Sequence, residues 1–243
     1  MMKKILMMTI AALLAAGAAH AADVSAGVDF ASAYVFRGVT LNDGLVAQPY
    51  LEVSGFPIDE KYGSIAVGIW ANYDINDIGS GQEFSEVDYY ISYSLPVEVV
   101  DIGLTYTSYT YPGAAGGDSD REISLSFGKD IGTNGLSAAV SFNYGIGGAI
   151  ENSLYIQGEL GYETDLTEKL SASAGVTVGY LISDGGADGF NDATASVGLG
   201  YALNDNWSVG AGLTYIAQLD DEMLTDAAYD VSVVASVGLS CSF

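Results

Sequence analysis

Trp207-Ser208-Val209-Gly210-Ala211-Gly212-Leu213-Thr214-Tyr215 sends Trp207, Val209, Ala211, Leu213 and Tyr215 to one side of an extended chain and Ser208, Gly210, Gly212 and Thr214 to the other. Successive side chains of a strand point to opposite faces, so a period of two reads as β-strand. The flanking stretches repeat the pattern. Ala193, Ala195, Val197, Leu199 and Tyr201 oppose Thr194, Ser196, Gly198 and Gly200, and Leu170 to Tyr180 alternate in the same way. Working outward to both ends finds twelve such segments. The first is read with Val28, Phe30, Tyr34 and Phe36 on its apolar face and Ser25, Gly27, Asp29 and Arg37 opposite. The last is read from Tyr229 through Val231, Val233, Ala235, Val237, Leu239 and Cys241 to Phe243.

A soluble sandwich also alternates, so the choice rests on other features. Within these segments the apolar face carries no charge, as lipid demands: a charge facing lipid at mid-depth costs about 2–4 kcal/mol. The connections alternate in kind. Compact ones (Pro57–Lys61, Pro96–Glu98, Lys129–Gly135, Asp165–Lys169, Leu203–Asn206) hold all the lysines beyond Lys4. Longer, Gly-rich or acidic ones lie between them: Gly38–Gly44, Asp74–Glu83, Thr110–Asp120, Gly147–Asn152, Ser183–Asn191 and Gln218–Ala228. Short periplasmic turns and long external loops are the habit of outer-membrane barrels.

Aromatic residues gather near strand ends, where an amphipathic ring prefers the headgroup level. Tyr34, Phe36, Tyr73, Tyr89, Tyr144, Tyr180, Tyr215 and Tyr229 are expected in an outer girdle, and Phe56, Tyr93, Phe127, Tyr162, Tyr201, Trp207 and Phe243 in an inner one. The expected fold is all-β: a membrane-spanning antiparallel up-and-down β-barrel of about twelve strands over residues 22–243. Closure follows because lipid offers no partner to an open sheet edge.

The first 21 residues read differently. Lys3 and Lys4 precede an apolar run from Ile5 to Ala16, and Ala19-His20-Ala21 supplies small residues at a cleavage site. This is the pattern of a secretory signal peptide. Its removal leaves 5 basic against 31 acidic side chains, a net charge of −26. Nucleic acid is excluded as a partner, since phosphate binding needs a basic surface. The single cysteine, Cys241, forms no internal disulfide, and the single histidine, His20, leaves with the leader. Histidine-assisted hydrolysis therefore lacks its base. No residue pattern calls for a cofactor, and the chain is not expected to be an enzyme.

Parity points Asp29, Glu52, Asp74, Glu86, Asp88, Asp101, Glu122, Glu159, Glu163 and Asp230 into the lumen or its mouths. Arg37 is the one clear inward cation, and Trp70 is an inward aromatic. Carboxylate-lined passages favour cations. Arg37 either faces carboxylates across a constriction or pairs structurally with a neighbour such as Glu52. Inward bulk lies on the early strands (Tyr50, Trp70, Tyr90, Tyr109, Tyr155), while the later ones present Gly, Ser, Ala and Thr. Those glycines either leave room for a narrow pore or ease strand curvature. The acidic stretches Asp184–Asp192 and Asp220–Glu222 do not fit an EF-hand.

Ala33-Tyr34-Val35-Phe36-Arg37-Gly38-Val39-Thr40, Pro49-Tyr50 and Gly68-Ile69-Trp70-Ala71-Asn72 resemble the proteobacterial family of TorF-type porins. The resemblance covers the first third of the chain. It implies an outer-membrane barrel and brings no catalytic residues. The expected function is a passive channel for small ions or solutes with an acidic, cation-favouring lumen. The alternative is a structural or surface-interaction barrel with an occluded lumen. The expected partners are outer-membrane lipid, small cations or solutes and, through the aromatic Phe243, the barrel-assembly machinery. The pattern leaves the oligomeric state open.

Overall fold

The computed structural model describes residues 22–76, 83–112 and 119–243. The leader read at residues 1–21 lies outside them. Among the described residues fourteen strands follow in order: β1 (Asp23–Ala31), β2 (Tyr34–Phe36), β3 (Val39–Asn42), β4 (Val46–Ser54), β5 (Ser64–Asp74), β6 (Phe84–Ser94), β7 (Asp101–Thr110), β8 (Asp120–Ile131), β9 (Leu136–Gly147), β10 (Leu154–Asp165), β11 (Leu170–Ile182), β12 (Asp188–Ala202), β13 (Trp207–Gln218) and β14 (Val233–Ser242). All but β2 and β3 form one closed barrel of twelve antiparallel strands. The seam joins β1 to β14, with Ser25 opposite Ser242 and Ala31 opposite Ser236. Val24 and Phe243 exchange two backbone hydrogen bonds, of 3.0 and 2.9 Å, at its end. Sequence neighbours pair throughout, apart from the β1–β4 step over the small β2–β3 hairpin and the closing seam. This is the up-and-down topology that alternation predicts.

The alternation also settles what faces out. Phe30, Ile91, Leu104, Leu125, Phe142, Leu160, Val176, Val197, Leu213 and Val237 are exposed on the outer wall. Monomeric soluble proteins rarely leave so continuous an apolar band uncovered. Tyr89, Tyr144, Phe190 and Tyr215 ring the long-loop end, and Tyr93, Tyr162, Tyr201, Trp207 and Phe243 ring the end that carries the termini.

Two strand readings need correction. β1 stops at Ala31, and Tyr34 and Phe36 belong to the separate β2–β3 hairpin. Tyr34 is buried, not part of an outer girdle. β14 starts at Val233, so Tyr229 and Val231 lie in the preceding loop, where the Tyr229 hydroxyl donates to the Ile216 carbonyl at 2.8 Å.

Some inward glycines have a direct use. Gly27 of β1 lies opposite Tyr50 of β4, and Gly68 of β5 opposite Tyr90 of β6. A Cβ on Gly27 would stand 2.6 Å from Tyr50 Cε1. The ring lies flat across the neighbouring strand because glycine leaves the space. Gly27→Val is therefore expected to cost about 1–3 kcal/mol, as overpacking does. Urea unfolding of the folded barrel checks this; an unchanged midpoint would show that Tyr50 swings away freely.

Candidate functional site

The lumen is crossed by the β2–β3 hairpin. Phe36 pairs with Val39, so Arg37 and Gly38 form its two-residue turn. Their φ angles are 50° and 79°. A tight hairpin turn of this kind wants positive φ at both central residues and favours Asn-Gly. Arginine is a poor local choice there. Its side chain accounts for its presence.

The Arg37 guanidinium donates to both oxygens of Glu122 on β8, from Nη1 at 2.7 Å and from Nη2 at 2.9 Å. Such a two-pronged charge-assisted contact fixes orientation as well as distance. Glu122 also accepts from the Tyr109 hydroxyl at 3.1 Å and from Ser124 at 3.2 Å, and is 2% exposed. The guanidinium stacks between two rings, 4.7 Å from Phe36 and 4.5 Å from Tyr155. Burial pulls the pKa of Arg37 down, but the hydrogen bonds and charge of Glu122 outweigh it and leave the pKa raised. The side chain is a held cation.

Further contacts reach most of the wall. Tyr34 packs on Trp70 of β5 at 5.2 Å between ring centroids, and Phe36 on Tyr109 of β7 at 5.9 Å. Asn191 on β12 donates to the Arg37 carbonyl at 2.8 Å and to Asp192 at 2.9 Å, and Tyr155 on β10 donates to Asp192 at 2.7 Å. A Cβ on Gly38 would stand 2.5 Å from Leu224 and 2.9 Å from Asp192, so the turn approaches both closely. Leu224, in the loop after β13, is 2% exposed. That loop also seats the hairpin's far side: Thr40 N–H donates to the Ala228 carbonyl at 2.8 Å, and the Thr40 hydroxyl oxygen accepts from the N–H groups of Asp230 and Val231.

Carboxylates line the cradle. Glu86, Asp88, Glu122 and Asp192 are all buried, and Asp88 Oδ1 has no hydrogen-bond partner among the described residues. The Tyr34 hydroxyl faces Glu86. Below the hairpin, on the side of the termini, lies a cavity of about 340 Å³ bordered by Asp29, Arg37, Gln48, Trp70, Thr177 and Asp192. A second cavity of about 630 Å³ lies nearer the termini, between Asp130, Ser137, Glu159, Glu163, Ser173 and Ser196. It sits against β8–β12.

The lumenal residues chosen from sequence separate into groups. Arg37 and Glu122 meet directly, and Trp70, Glu86 and Asp88 surround the same hairpin. Asp29 borders the smaller cavity and Glu159 the larger. Glu52 stands apart from Arg37 and accepts from Tyr90 at 2.9 Å. Asp74 closes β5, where it accepts from Asn76 N–H at 2.8 Å, and Asp101 is exposed at the start of β7. Both are at the mouths. Sequence reasoning missed Asp192, which it placed in an acidic loop. Parity with Thr194 along β12 was the available signal. It also missed Leu224, for which local sequence carries no sign.

Two of the three stretches singled out in the first third of the chain, Ala33–Thr40 and Gly68–Asn72, converge here, while Tyr50 lies over Gly27. Tyr34 and Phe36 belong to the hairpin, Trp70 packs on Tyr34, and Asn72 is fully buried, linking Gln48 of β4 to Ser85 of β6.

In fold the chain is similar to the KdgM porin solved in complex with disordered oligogalacturonate, at TM-score 0.52 and 12% identity over 91% of this chain and 99% of that one. The NanC porin gives 0.52 and 11% over 91% and 99%. The Salmonella typhi outer membrane phospholipase dimer with bound calcium gives 0.53 and 12% over 89% and 90%. At such identities the likeness is one of fold: a porin-like barrel of outer-membrane type. None of the curated proteins matches the sequence. Residues 15–239 match a family described as bacterial protein of unknown function, and the chain belongs to that family, Gcw_chp.

Proposed function

We propose that this barrel sits in the bacterial outer membrane and passes small ions or solutes passively through an acidic, cation-favouring lumen, as a TorF-type porin. The observation that carries this reading is the charge balance of the lumen. Asp29, Glu52, Glu86, Asp88, Glu122, Glu159 and Asp192 face inward, and the single inward cation among the described residues, Arg37, has its charge matched by Glu122 at 2.7 Å. The uncompensated field is negative, and a carboxylate-lined passage with low-dielectric walls concentrates cations. The meeting of two of the resemblance-bearing stretches, at Tyr34 and Trp70, supports the family reading. Phe243 beside the seam is the proposed contact for the barrel-assembly machinery.

The KdgM porin was solved with oligogalacturonate, a polyanion. An acidic lumen repels such a chain, so the likeness of fold does not carry over to the solute. Nor does the phospholipase likeness carry over to hydrolysis, because the only histidine of the sequence is His20.

Reversal potential in a potassium chloride gradient tests the proposal. Purified protein in a planar bilayer is expected to show a cation-selective potential that fades at high salt, as screening shortens the reach of the carboxylates. An anion-selective potential would refute it. The hairpin across the lumen favours a second reading, an occluded barrel that acts through its loops. A folded barrel, shown by heat-modifiable gel mobility, with no conductance step would establish that reading.

A further inference from the structure

We propose that the Tyr34–Asn42 hairpin is a detachable lumenal plug, latched across the barrel by the Arg37–Glu122 pair. Three observations carry this. First, the hairpin is a sheet of its own and shares no strand ladder with the wall. Its only backbone-to-backbone hydrogen bond beyond its own turn and strands, among those described, runs from Thr40 to Ala228 in the loop after β13. It is tied to the barrel by its two ends and otherwise rests on side chains.

Second, the cradle is electrostatically one-sided. Glu86, Asp88, Glu122 and Asp192 face the hairpin, none more than 8% exposed, and Asp88 Oδ1 lacks a partner. Burying unpaired charge is costly. Seating the hairpin dehydrates these carboxylates, and lifting it returns water to them. Third, one side chain offsets that cost. Among the described residues Arg37 supplies the only cation opposite the four carboxylates, and its pairing with Glu122 joins residues 85 apart in sequence. Removing its charge leaves aromatic packing, the Asn191 bond to the Arg37 carbonyl and the Thr40 contacts to hold the plug against that dehydration cost. Two such states, each with its own contacts, shift in population when one state loses an interaction.

The inference uses the channel reading for its electrical readout, and the test separates the two. Wild type and Arg37→Gln are compared in planar bilayers. A third protein carries Arg37→Gln with Thr40→Cys and Ala228→Cys, in a Cys241→Ser background. Its new disulfide ties the hairpin to the loop that already bonds it at 2.8 Å. Arg37→Gln is expected to raise the open fraction about tenfold or more. The oxidised disulfide should cancel that gain and reduction restore it, which excludes a misfolded barrel as the cause. Equal currents in wild type and Arg37→Gln would overturn the plug. A silent wild type with a conducting Arg37→Gln would uphold the plug and refute the constitutive channel. Silence from both proteins, with heat-modifiable barrels, would overturn both.

Discussion

A Val197→Arg barrel is expected to assemble poorly and to lose about 2–4 kcal/mol of stability in bilayers, the cost of a cationic side chain facing lipid near mid-depth. Val197 lies in the middle of β12 between Ala174 and Leu213, with 59% of its surface exposed on the outer wall. The control is its neighbour. Ser196 points inward beside Gly175 and borders the larger cavity. Ser196→Arg is expected to be tolerated, because the lumen offers water and carboxylates. Heat-modifiable gel mobility and urea midpoints in vesicles measure both. Equal assembly of the two variants would show that the apolar face does not meet lipid.

Glu122→Leu is the second large effect. It removes both acceptors of the guanidinium and the partner of Tyr109 and Ser124. Stranding one member of a buried ion pair costs about 3–5 kcal/mol. Here the loss falls on the docked hairpin, up to all the docking energy it has. Hydrogen exchange at the β2 and β3 amides should therefore accelerate by about two orders of magnitude or more, while the wall strands keep their protection. Glu122→Leu combined with Arg37→Met removes both charges and should recover much of the loss. A hairpin as well protected in Glu122→Leu as in wild type would show that the pair holds nothing.

The barrel was largely legible in the sequence because strand alternation is local. Each residue from Trp207 to Tyr215 declares its face by parity alone, and the lengths of the connections declare which end each turn occupies. The hairpin was less legible. Tyr34 and Phe36 share the parity of Val28 and Phe30, so an aromatic sunk in the lumen looks the same as one in a lipid girdle. The turn did leave a trace: a glycine at 38 follows Tyr34-Val35-Phe36 and precedes Val39-Thr40-Leu41, a two-residue hairpin signal. Arginine in place of the usual Asn hid it.

The sequence by itself therefore determined an acidic, twelve-stranded barrel whose outer face carries no charge at mid-depth, because those properties follow from period-two patterning and composition. The tertiary structure alone decided what occupies the lumen. Closing the barrel brings β8 and β10 to the wall facing β1 and β12 a quarter-turn round from it, and only then does Arg37 find Glu122, Tyr155 and Asn191. Parity turned Arg37 inward and left two partners open, carboxylates across a constriction or a neighbour such as Glu52. The true partner stands across the lumen, at a distance in sequence that no local pattern encodes.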